Sequence, residues 1–122
     1  MIKQDPSRER KDMLTEKIKK ELVTRITATE KIDKILLFGS QATGNSGPNS
    51  DIDLLVVLDD DTLPHSFRER STNYLQISRA IRDIEKLHSI DLLVYTRPEF
   101  AMLKAEQSLF IRSVLKDAIE LT

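Results

Sequence analysis

The sequence predicts an α/β fold, a sheet covered by helices, and three observations carry that expectation. Apolar residues recur at helical spacing in long stretches near both ends and in the middle. Short apolar runs of strand length lie between those stretches. All 3 glycines of the chain, Gly39, Gly44 and Gly47, fall in one loop between two of the runs. The predicted order is helix, strand, strand, helix, strand, helix, and elements of this length alternating in this way bury their apolar faces by laying helices on a sheet.

The first helix is expected over residues 7 to 29, where Leu14, Ile18, Leu22 and Ile26 recur every four positions with Lys and Glu between them. Pro6 and Ser7 suit its start. Lys34 to Phe38 reads as a short strand ended by Gly39, and Ile52 to Leu58 as a second strand whose end is marked by Asp59, Asp60 and Asp61. Pro64 suits the first turn of a second helix running to about His88, with Phe67, Tyr74, Ile77, Ile81, Ile84 and His88 on one stripe. Ile90 to Tyr95 reads as a third strand. Pro98 and Glu99 open helical sequence to the C-terminus, with Phe100, Leu103, Ile111, Val114, Ala118 and Leu121 as its apolar face.

The 122 residues are expected to form one domain, 1–122, and 39% hydrophobic residues suffice for a modest core. The 19 basic residues nearly cancel the 20 acidic ones, so no direct nucleic-acid binding and no membrane attraction is expected from charge. The longest apolar run, Leu54 to Leu58, is far short of a membrane span. The chain has no cysteine, which excludes disulfides and thiol catalysis. The N-terminal MIKQDPSRERKD has no apolar region of the signal-peptide kind, and a cytoplasmic protein is expected.

The chemistry concentrates in FGSQATGNSGPNSDIDLLVVL, Phe38 to Leu58. Side chains alternate along a strand, so Asp51 and Asp53 project the same way, about 7 Å apart. Two ionised carboxylates that close repel and resist desolvation, and a divalent cation is the simplest compensation. Asp91, flanked by apolar residues in the third strand, repeats the pattern. If the second and third strands are neighbours, Asp91 meets Asp51 and Asp53, and three carboxylates around one point suit two metal ions and in-line phosphoryl or nucleotidyl transfer. Gly39 allows a close backbone approach, Ser40 offers a hydroxyl and an N–H to a phosphate oxygen, and Gly44, Gly47 and Pro48 let the chain turn back toward the aspartates.

A strand ending in Gly39-Ser40, then Asp51-x-Asp53 opening the next strand, then Asp91 on a later strand, resembles the polymerase β-type nucleotidyltransferase superfamily and, within it, the minimal nucleotidyltransferases of the MNT family. The resemblance runs from the first strand through Asp91. It implies an α+β fold with a small mixed β-sheet backed by helices, and transfer of a nucleoside monophosphate, AMP from ATP, to an acceptor hydroxyl with release of pyrophosphate. It further implies that Asp51 and Asp53 bind two Mg²⁺ ions, that Asp91 binds the catalytic one and helps activate the acceptor, and that Gly39 and Ser40 bind the NTP. Proteins of this size in the family are often antitoxins paired with a helical HEPN-type RNase toxin, modified on a tyrosine. Where the family commonly carries Gly-Ser-Arg-Ala-Arg-Gly, this chain reads Gly39-Ser40-Gln41-Ala42-Thr43-Gly44. Two readings therefore stand side by side: an enzyme, and a binding protein that neutralises its partner by contact with a vestigial site.

Other polar residues read as structural. Asp-x-Asp here lacks the further ligands of an EF-hand. Asp59, Asp60 and Asp61 read as a solvated turn, His65 as a helix-start residue, His88 as a helix-end residue and Tyr74 as packing. The interleaved charges of the N-terminal segment, with Lys3, Arg8, Arg10 and Lys11, read as a solvated helix start. Tyr95 shares a face with Asp91 and is a candidate to line its pocket.

Overall fold

The computed structural model describes residues 16–43 and 51–122. Helix α1 (Glu16–Thr29) leads into strand β1 (Ile32–Phe38), a single helical turn α2 (Ser40–Thr43) and strand β2 (Ile52–Leu58). Helices α3 (Phe67–Ala80) and α4 (Arg82–Glu85) precede strand β3 (Ile90–Thr96), which is followed by α5 (Arg97–Glu106), α6 (Leu109–Asp117) and a short strand β4 (Ile119–Glu120). The sheet order is β3-β2-β1-β4. Strand β1 runs antiparallel to β2 and to β4, while β2 and β3 are parallel, so the sheet is mixed.

Both faces of this sheet are covered, which is why Leu54 to Leu58 is apolar at every position rather than at alternate ones. On one face Ile35, Leu37, Leu54 and Val56 pack with Leu22 and Ile26 of α1 and with Ile77, Ile81 and Ile84. On the other, Leu36, Leu55 and Val57 pack with Phe100 of α5 and with Ile111 and Val114 of α6. Among the described residues no helix is long and apolar enough to cross a membrane.

The expected strands appear at or within two residues of their expected bounds. Several helical expectations need correction. Pro64 is buried ahead of the second helix rather than in its first turn, and Ser66 is the N-cap, its hydroxyl accepting from the Glu69 N–H at 3.2 Å. That helix breaks at Ile81 (φ −110, ψ 14), yet the buried stripe of Ile77, Ile81 and Ile84 continues through the break. Phe67 is not on the buried stripe: it is 84% exposed. The C-terminal helix is two helices, divided at Gln107, which takes the left-handed conformation (φ 52, ψ 39). The last residues form β4, where Leu121 N–H donates to Ile35 O at 2.8 Å. Residues 7 to 15 of the expected first helix, and the turn expected at Gly44, Gly47 and Pro48, lie outside the described residues.

Candidate active site

The strand register sets the site. Phe38, the last residue of β1, lies opposite Asp53 in the antiparallel pair, and Asp53 lies beside Asp91 in the parallel pair. Alternation puts Asp53 on the sheet face that carries Leu55 and Val57, under α6, and puts Asp91 on the same face as Leu93 and Tyr95. Asp53 is half-buried, while Asp51 and Asp91 are exposed. A side-chain hydrogen bond joins Asp53 to Asp91. Burial, then the Asp91 charge and that hydrogen bond, then the Asp51 charge, push the Asp53 carboxyl up to about 6. The neutral form of Asp53 is favoured because an ionised carboxylate there is both desolvated and set beside another acid.

Gly39 is fitted to this pair. It has φ +71, and a Cβ there would collide with Oδ2 of Asp53. Its carbonyl accepts from the N–H groups of Ala42 at 3.1 Å and Thr43 at 3.3 Å, which closes the turn of α2 and sets Ser40 at its start.

The structure thus brings Gly39, Asp53 and Asp91 together at one edge of the sheet, with Ser40 following Gly39 and Asp51 at the mouth. Among the described residues no three His, Asp or Glu side chains are gathered tightly enough to hold one metal ion. The donor set still fits Mg²⁺: hard carboxylate oxygens, an Asp53 carboxyl raised by burial first and by its acidic neighbours second, and no cationic partner for Asp51, Asp53 or Asp91 among the described ion pairs.

A cavity of about 370 Å³ opens beside Asp53, walled by Phe38, Gly39 and Thr43 on one side and by Phe110, Ser113, Val114 and Asp117 of α6 on the other. The α6 wall was not foreseen. Its one trace in the sequence is the helical spacing of Phe110, Ser113 and Asp117 next to the apolar pair Ile111 and Val114.

Three other polar expectations resolve. Tyr95 lines a separate groove of about 280 Å³ with Leu63, Arg70 and Glu99, not the aspartate pocket, and burial and then Glu99 raise its hydroxyl pKa. The acidic turn is not simply solvated: Arg97 pairs with Asp59, with Asp61 at 3.0 Å and with Asp33 at 3.7 Å. His65 is exposed ahead of α3, its N–H donating to Glu69 Oε2 at 2.7 Å.

Comparison with known proteins agrees with this geometry. The family described as polymerase beta, nucleotidyltransferase, matches residues 16–121. No curated protein matches the chain. Among solved structures, a toxin–antitoxin bound to AMP-PNP is similar at 20% identity and a TM-score of 0.57, covering 85% of this chain and 72% of that one. A mutant of the toxin–antitoxin MntA-HpeT is similar at 17% identity and a TM-score of 0.54, covering 85% and 71%. A putative nucleotidyltransferase from Sulfolobus solfataricus is similar at 25% identity and a TM-score of 0.56, covering 85% and 76%.

Proposed function

The chain belongs to the polymerase beta nucleotidyltransferase family, and on that premise we propose that it transfers AMP from ATP to a hydroxyl, a tyrosine of a HEPN-type RNase toxin, and thereby acts as a cytoplasmic antitoxin. The observation that carries the reading is Asp53 held against Asp91 across adjacent parallel strands, with Gly39 closing over it. The similarity to structures of toxin–antitoxin proteins, one bound to AMP-PNP, supports the partner and the nucleotide.

Asp51, Asp53 and Asp91 would hold two Mg²⁺ ions. Bound there, the metal supplies Lewis-acid stabilisation of charge on the phosphoryl oxygens. Asp91, exposed at the rim, accepts the acceptor's proton as its oxygen bonds the α-phosphorus and the bond to the bridging oxygen of pyrophosphate breaks. Gly39 and Ser40 steer the phosphates. Phosphate added to the acceptor brings negative charge and blocks an RNA-binding surface by repulsion.

Intact-mass measurement after incubation with ATP, Mg²⁺ and the helical partner tests this. The partner should gain one or more AMP units, and Asp51→Asn, Asp53→Asn or Asp91→Asn should each abolish the gain while the protein stays folded. Gln41 and Thr43, standing where the family carries arginines, favour a second reading, neutralisation by contact alone. In that case Asp53→Asn still neutralises, protection ends when the two proteins are separated, and the partner's mass never changes.

A further inference from the structure

We propose that α6 is the nucleoside wall of this site: Phe110 stacks on the base, while Asp117 and Ser113 accept hydrogen bonds from the nucleoside. The inference rests on the nucleotidyltransferase reading and deepens it. Helix α6 is pinned at its start by Ser108, whose hydroxyl accepts from the Ile111 N–H at 3.2 Å, and it buries Ile111 and Val114 against the sheet. The neighbouring stripe of Phe110, Ser113 and Asp117 is left facing the Asp53 cavity. Phe110 remains 48% exposed, yet its ring is set edge-on to Phe38, with centroids 6.2 Å apart and planes at 85°. A phenyl ring so fixed and still half open is a stacking platform.

Charge decides which part of a nucleotide belongs there. No Lys or Arg lines the cavity among the described residues, and Asp117 repels phosphate, so the triphosphate belongs at the Gly39 and Asp53 end and the uncharged nucleoside under α6. An aspartate in the last turn of a helix also faces the negative end of the helix dipole, so Asp117 is placed against local stability. Its carboxylate, with the Ser113 hydroxyl, matches the O–H and N–H donors of a nucleoside, which are the ribose hydroxyls and the exocyclic amine.

Binding of ATP, 2′,3′-dideoxy-ATP and inorganic tripolyphosphate, each with Mg²⁺, separates the possibilities by calorimetry. Phe110→Ala should weaken ATP about tenfold, in line with the usual worth of base stacking, and leave tripolyphosphate unchanged. Phe110→Leu, which keeps apolar bulk without a flat ring, should do the same. Asp117→Asn should weaken ATP; an unchanged affinity for the dideoxy analogue assigns the contact to ribose, and an equal loss assigns it to the base. Variants that bind ATP normally, including ones that lose only transfer to the protein partner, overturn the proposal. So does an equal loss for ATP and tripolyphosphate. A native protein that binds neither ligand overturns the nucleotidyltransferase reading itself.

Discussion

Asp53 is raised from the ordinary value of 3.8 to about 6, and the sign of its effect on folding follows. Between those values the folded chain holds a proton that the unfolded chain has released. Without metal, stability from this group is therefore fully present below about pH 4 and falls as pH rises toward about 6. Denaturant unfolding of metal-free protein across that range should show the decline, and Asp53→Asn should flatten it; an identical pH profile in the variant would count against the carboxyl pair. Gly39 answers to the same side chain. Gly39→Ala sets a Cβ against Asp53 Oδ2 and puts alanine at φ +71, so it should cost at least about 1 kcal/mol, the usual penalty of left-handed backbone. In a double-mutant cycle Asp53→Ala should recover part of that loss by removing the colliding carboxylate. Strict additivity would mean that the two residues do not meet.

Among the elements, the C-terminal helices show where local signals compete. Thr96 and Glu99 form a capping box at the start of α5, the Thr96 N–H donating to Glu99 Oε1 at 3.0 Å, and this was foreshadowed by Pro98-Glu99. The end of α5 carried no such mark, because Gln107 is a good helix former. It is nonetheless held left-handed, the N–H of Gln107 bonding to Lys104 O at 3.2 Å, so that Ser108 can start α6 in a new direction. Glycine adopts that conformation without a Cβ penalty. Gln107→Gly should accordingly raise stability by a few tenths to about 1 kcal/mol, read from the denaturation midpoint at constant slope. A loss of stability would show that the Gln107 side chain makes a contact worth more than the backbone strain.

Across the whole molecule the two ends of the sheet are electrostatic opposites. At one end Arg97, the first residue of α5, ties Asp33 of β1 to Asp59 and Asp61 beyond β2, and its backbone N–H donates to Asp60 O at 3.1 Å. At the other end Asp51, Asp53 and Asp91 have no such counter-charge among the described residues. The first end closes the fold; the second leaves its carboxylates without a described counter-charge. Arg97→Met should lower the melting temperature more at low ionic strength than at high, because exposed pairs are screened by salt. A melting temperature shift independent of salt would assign Arg97 a packing role instead.

The sequence by itself determined the strands, the family resemblance and the neighbourhood of Asp53, because each has a local signature: a run of Leu and Val too continuous for a one-sided strand, a Gly-Ser corner, and acids at alternate positions. It also foresaw the pairing of Asp91 with Asp53, conditional on β2 and β3 being neighbours, and the sheet order meets that condition. Only the tertiary structure decided the rest. Asp53 is the half-buried carboxyl and lines the cavity that α6 walls, whereas Asp51 is exposed, a difference the spacing of the two residues does not contain. Tyr95 and Asp91 share a face but sit near opposite ends of a seven-residue strand, so alternation alone grouped them while distance leaves Tyr95 in a groove that Asp91 does not line. The acids after β2 find Arg97 across 38 and 36 residues of chain, a pairing that only the parallel β2–β3 alignment brings together.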